Sequence, residues 1–218
     1  MKPSKLVVTG ADQFHVAVAD AMTAVTLRAL EGRGRAHLCL AGDPALQGTY
    51  RRFAAGDLPW DRVEIYPTHS GATLTEASNT GLDAMRGARV HALEVSRSHP
   101  DASAREYDER LPRTLDLVLL ALRSDGGVAG LQPESPAVTD ARRRVVALDP
   151  PGTAATVTPR LILAAATTVV AAVGPDLAPA VSDALRGPYD LRTCPAQVAR
   201  SGVWIVDREA GRLLEDGE

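Results

Sequence analysis

Lysine is almost absent from this chain. Of its 24 basic residues only Lys2 and Lys5 are lysine, so a Schiff-base lysine in the body of the fold is excluded. Cysteine is as scarce. Cys39 and Cys194 stand far apart with no C-x-x-C or Cys/His spacing, and they read as small buried hydrophobes rather than a disulfide or a metal site. No metal and no cofactor is expected. A formal net charge of −3 gives no electrostatic footprint for nucleic acid. No apolar run reaches the ~18–20 residues that cross a bilayer, and the start, M-K-P-S-K, lacks the hydrophobic stretch of a signal peptide. The expectation is a soluble, cytoplasmic protein without a membrane partner. No internal repeat, low-complexity segment or linker divides the 218 residues. Residues 1–214 read as one α/β domain and 215–218 as an acidic, disordered tail.

What the chain does hold is a regular alternation of short apolar strands and helical segments. Strands are expected at Lys5 to Thr9, Ala36 to Ala41, Val63 to Tyr66, Val90 to Leu93, Leu115 to Leu122, Val145 to Leu148, Thr167 to Val173 and Val203 to Val206. Helices are expected at Phe14 to Glu31, from Pro44 through Phe53, around Ser78-Asn79, at Ala102 to Leu111 and at Pro175 to Leu185. Alternation of this kind predicts a doubly wound, mostly parallel, Rossmann-like sheet covered on both faces. Leu115 to Leu122 is nearly unbroken in apolar residues and suits a central strand buried on both sides. It runs into Ser124-Asp125-Gly126-Gly127, where paired glycines allow a sharp turn and leave N–H groups to offer a ligand. In an open α/β sheet that is where a site belongs.

The stretch Asp125-Gly126-Gly127-Val128-Ala129-Gly130-Leu131-Gln132-Pro133 resembles the signature loop of the 6-phosphogluconolactonase family, G-x-G-x-D-G-H-T-A-S-L-F-P. That family is related to the glucosamine-6-phosphate isomerases. Further landmarks keep its order: Leu40-Ala41-Gly42 with Tyr50, Leu58-Pro59-Trp60, Ser78-Asn79, His91, and Pro150-Pro151 before Thr156-x-Thr158. The resemblance implies the fold and a cleft built from Gly42, Asp43, Ser78, Asn79, Gly126 and Gly127. It does not by itself fix the activity.

The reactive positions of that family are changed. Its loop histidine falls on Gly127, which has no side chain to act as a base. Its G-G-S-T-P phosphate loop is Gly42-Asp43-Pro44-Ala45-Leu46, where Asp43 adds a negative charge and Pro44 removes a donor. Its cations fall on Gly71, Ala154 and Leu177. A phosphate dianion needs charge-assisted donors worth ~1.5–3 kcal/mol each, and every aligned one is missing. His69, after the third strand, reads either as a substitute base or as an exposed loop histidine, and Asp125 is either its partner or the acceptor of an Asx-turn bond. His91 reads as a packing or hydrogen-bonding residue, while His15, His37 and His99 read as surface or helix residues. Arg142-Arg143-Arg144 reads as a solvated face. The expected function is a 6-phosphogluconolactonase-like protein that has lost that hydrolysis. It would be non-catalytic or repurposed, binding another carbohydrate-like small molecule or a protein partner as a monomer or homodimer. Two alternatives stand beside it: hydrolysis of a non-phosphorylated sugar lactone by His69 and Asp125, and an active 6-phosphogluconolactonase of the pentose phosphate pathway.

Overall fold

The computed structural model describes residues 5–70, 84–148 and 154–214. Among the described residues nine strands form: β1 (Lys5–Thr9), β2 (Ala36–Leu40), β3 (Val63–Pro67), β4 (Arg89–Val90), β5 (Leu117–Ala121), β6 (Val145–Ala147), β7 (Ala155–Val157), β8 (Thr167–Ala172) and β9 (Val203–Asp207). The helices are α1 (Ala11–Arg33), α2 (Gln47–Ala54), α3 (Pro100–Arg110), α4 (Pro159–Ala164), α5 (Ala178–Arg186) and α6 (Arg208–Gly211). Seven strands make one wholly parallel sheet in the order β1-β9-β8-β5-β2-β3-β4. The doubly wound fold is therefore observed, with β5 in the middle.

Alternation along β5 explains the two layers. Leu117, Leu119 and Ala121 enter a core with Leu38, Ile65 and Val169 under α1 and α2, where Phe14, Met22, Tyr50 and Phe53 are buried. Val118, Leu120 and Leu122 enter a second core with Tyr66, Val170 and Trp204 under α3 and α5. A strand flanked on both faces has no use for polar positions, which is why Leu115 to Leu122 is continuous. Two tyrosines then tie the layers to the carboxyl ends of the strands. Tyr50 donates to Ala41 O just beyond β2, and Tyr107 donates to Pro67 O at the end of β3, 2.7 Å away.

Several expectations are corrected. Val145 to Leu148 does not join the main sheet. Residues 145–147 pair antiparallel with β7, a strand too short to be foreseen, as was α4. Of the fourth expected strand, Val90 to Leu93, only Val90 pairs, together with Arg89 before it. Arg144 is half-buried rather than solvated, donating to Asp108 Oδ1 and to the carbonyls of Pro112 and Asp108. His37 is half-buried on β2, neither a surface nor a helix residue, whereas His15 is a helix residue as expected, half-buried and bridging α1 to Thr49 of α2 at 3.0 Å. Cys39 and Cys194 are buried and free. The segment around Ser78-Asn79 lies outside the described residues, as does the tail. Among the described residues no helix is long and apolar enough to cross a membrane.

His91 belongs to a buried polar cluster. Glu64 on β3 accepts hydrogen bonds from Arg35 (2.6 Å), His91 (2.8 Å) and the Tyr66 hydroxyl (3.0 Å), and the His91 ring stacks on Tyr66 with centroids 4.4 Å apart. Burial alone pushes the Glu64 carboxyl up, but those three donors outweigh it and hold the pKa down at about 2. A depressed pKa contributes stability above the unfolded value, near ~4.3, and that contribution is lost as pH falls through the folded one. Glu64→Gln should lower stability to urea by about 2–4 kcal/mol at neutral pH, because it strips a charge from bonded partners. The gap to wild type should close as the acid range below about pH 5 is entered; a gap independent of pH would contradict the assignment.

Candidate functional site

The chain runs outward from β2 to β3 and β4, then returns to β5 and proceeds the other way to β8 and β9. The reversal lies between β2 and β5, whose carboxyl ends are adjacent and leave a crevice above them. A cavity of about 360 Å³ opens there, walled by Gly42, Asp43, His69, Arg123, Gly130 and Gln132 among others. Its size matches a small polar molecule.

The first wall is the turn after β2. Asp43 caps a short 3-10 turn, Pro44–Leu46, and its Oδ1 accepts from the Ala45 N–H at 2.8 Å. A carboxylate thus already occupies the donor that an incoming anion would seek. The opposite wall is the signature loop. Val128 and Leu131 exchange backbone bonds of 3.1 and 2.7 Å across Ala129 (φ +53°) and Gly130 (φ +79°), a two-residue hairpin turn with both central residues in the left-handed region. Gly130 accepts that conformation without strain, whereas Ala129 holds it under constraint.

Asp125, Gly126 and Gly127 do not line this cavity. Asp125 Oδ1 accepts the Gly127 N–H at 2.8 Å, an Asx turn, and stands 3.5 Å from Arg123 Nε. The Gly126 N–H donates to Arg123 O at 3.0 Å. Both glycine N–H groups are therefore used within the loop, against the expectation that they are open to a ligand. The loop's back rests on Cys194 and Ala196, whose N–H donates to Gly126 O at 2.9 Å.

His69 does face the cavity. Residues 68–70 lie antiparallel to β7, with Val157 N–H to Thr68 O and Ser70 N–H to Ala155 O both at 2.9 Å. The Thr68 hydroxyl lies 3.2 Å from His69 Nδ1. Burial pushes the imidazole below its ordinary pKa; Asp43 opposes that and Arg123 adds to it. The ring is consequently neutral at physiological pH, the form a base needs. The structure brings Gly42, Asp43 and His69 together, and the carboxylate sharing the cavity with His69 is Asp43 rather than Asp125. Ser78 and Asn79 lie outside the described residues. Arg123, Gly130 and Gln132 were missed, although a signal existed for two: Arg123 follows a strand's carboxyl end, and Gln132 is polar where the resemblance puts phenylalanine. Among the described residues no group of three His, Cys, Asp or Glu side chains could hold a metal.

A family model for glucosamine-6-phosphate isomerases/6-phosphogluconolactonase matches residues 9–206. The chain belongs to this family. The 6-phosphogluconolactonase of Synechocystis sp. is 24% identical over 227 aligned positions, spanning 92% of this chain and 95% of that one. That of Streptomyces coelicolor is 30% identical over 161 positions, 71% of this chain and 59% of the other. A 6-phosphogluconolactonase structure from Shewanella baltica superposes with a TM-score of 0.80 at 20% identity, covering 95% of this chain and 97% of that one. A monomeric glucosamine-6-phosphate deaminase superposes with 0.72 at 19%, covering 98% and 100%. At those identities the superpositions establish the family fold, not the chemistry.

Within this family fold, the signature loop of the chain leaves no room for a side chain at residue 127. A Cβ on Gly127 would lie 2.7 Å from Leu131 O and 2.8 Å from Asp125 Oδ1. Gly127→Ala should therefore cost about 1–3 kcal/mol of stability in urea unfolding, and Gly127→His at least as much. A neutral effect would show that the loop yields freely and that residue 127 can carry a side chain.

Proposed function

We propose that this protein hydrolyses a non-phosphorylated sugar lactone, with His69 as the general base. The observation that carries the reading is a neutral, desolvated imidazole in the wall of the switch-point cavity, beside Asp43 and Arg123. The proposed mechanism places the proton on Nδ1, 3.2 Å from the Thr68 hydroxyl, and leaves the lone pair on Nε2. In this mechanism Nε2 takes a proton from water as the water oxygen bonds to the lactone carbonyl carbon. The tetrahedral intermediate then expels the ring oxygen, which leaves with the proton His69 carries, giving the open-chain sugar acid. Arg123 and the Gln132 amide supply donors for the developing oxyanion and the ring hydroxyls.

Asp43 is the argument against a phosphate. Its carboxylate faces the cavity and already accepts the Ala45 N–H, while Arg123, the one arginine or lysine in that wall among the described residues, stands beside Asp125. A dianion there would gain one shared cation and meet one fixed anion, so the balance runs against it. Ala154 and Leu177, at two of the aligned cation positions, are not wall residues. Arg123 favours one other reading, in which it holds the phosphate of 6-phosphogluconolactone, the substrate named by the relatives.

Purified protein assayed on glucono-1,5-lactone and on 6-phosphogluconolactone separates these. Turnover of the first above its spontaneous rate is expected, falling about 100-fold or more in His69→Ala. Hydrolysis of the phosphorylated lactone at the higher rate would favour the second reading. No acceleration of either lactone would leave the cleft a binding site without chemistry.

A further inference from the structure

Thr156 is not in the cavity wall and is fully buried, yet three pieces of the site meet at its hydroxyl. It stands opposite His69 across the antiparallel pairing of residues 68–70 with β7. The flanking bonds, Val157 N–H to Thr68 O and Ser70 N–H to Ala155 O, make this the close, non-hydrogen-bonded kind of pair. The two side chains therefore share a face as direct cross-strand neighbours. Oγ1 lies by three carbonyls, Ala129 O, Val157 O at 3.1 Å and Thr68 O at 3.4 Å. A hydroxyl has one proton, and Ala129 O is the nearest acceptor. Ala129 is the residue held at φ +53° in the hairpin turn opposite His69. The next residue, Gly130, packs so closely that a Cβ on it would lie 3.2 Å from His69 Cβ and 3.3 Å from Thr156 Oγ1.

We infer that Thr156 is a positioning residue for His69: its hydroxyl fastens the Ala129–Gly130 turn against the histidine, and the missing side chain at Gly130 is the space in which His69 is seated. A bond to a constrained turn acts where it changes the turn's preference, because Ala129 gains nothing locally from the left-handed conformation. Without the hydroxyl the buried Ala129 carbonyl loses its donor and the turn relaxes. The atoms nearest to that movement are those of His69.

The inference rests on His69 as the base, and its test keeps the two apart. Thr156→Val removes the hydroxyl at nearly constant shape, Thr156→Ser keeps it, and Gly130→Ala pushes on His69 from the other side. Imidazole NMR, with the His69 signal assigned by its absence in His69→Ala, gives the titration midpoint whether or not the protein turns over a lactone. Asp43 and Arg123 are the charges that face this ring among the described residues, and none of the three variants alters them. Thr156→Val and Gly130→Ala should both move the midpoint upward toward that of an ordinary histidine, as water reaches the ring, and Thr156→Ser should retain the wild-type value. In the lactonase assay Thr156→Val should lose about tenfold or more in kcat with KM within about threefold, and serine should restore it. An unchanged His69 midpoint in a folded Thr156→Val protein overturns the inference, as does equal loss of kcat in the serine and valine variants. A wild-type protein inactive on every lactone overturns the hydrolase reading alone, and the titration still decides the positioning.

Discussion

The hydrogen-bonded pairing of β2 with β5 is the constraint from which the site follows. Leu38 lies opposite Leu117 and Leu40 opposite Leu119, and the Ala41 N–H extends the ladder to Leu119 O. These strands are far apart in sequence, and all that intervenes lies to one side of them in the sheet. The later strands of the sheet, β8 and β9, lie to the other side. The loops that leave their carboxyl ends must therefore diverge, and the space between them is the cavity. The apolar side chains that hold the pair together reach both cores, so the crevice has a rigid floor.

Above that floor the walls are fastened to one another rather than only to the sheet. Asp43 closes its own turn through Ala45, and Asp125 closes the signature loop through Gly127. The β6–β7 pair takes residues 68–70 as a third antiparallel strand, carrying His69 to the cavity, and Thr156 joins that strand to the Ala129–Gly130 turn. Gly127 of the signature loop is packed against Leu131 O and Asp125. The histidine that faces the crevice, His69, comes from the neighbouring wall.

The main sheet was legible in the sequence because strands buried on both faces have no polar register to obscure them. Leu115 to Leu122 and Thr167 to Val173 stood out for that reason, and both are internal strands. β7 was not legible: Ala155–Val157 is three residues long, and its pairing with β6 and with residues 68–70 is set by tertiary contact, which local periodicity does not record. At the crevice, Gly42 and Asp43 were named from the family resemblance and His69 because it follows a strand end, and all three line the cavity. The pairing of His69 with Asp125 was not supported, since spacing along the chain says nothing about which wall a carboxylate joins. The N–H groups of Gly126 and Gly127 misled for a related reason. A glycine pair looks open in sequence, whereas here the loop's own carbonyl and carboxylate accept both.

The most direct test of the account is a crystal structure with D-gluconate, the open-chain product of the proposed reaction, in the switch-point crevice. The account predicts the sugar acid between Asp43 and Gly130, with its C1 carboxyl within about 3 Å of His69 Nε2. Gluconate bound there with C1 turned away from His69, or bound only outside the crevice between β2 and β5, would contradict it.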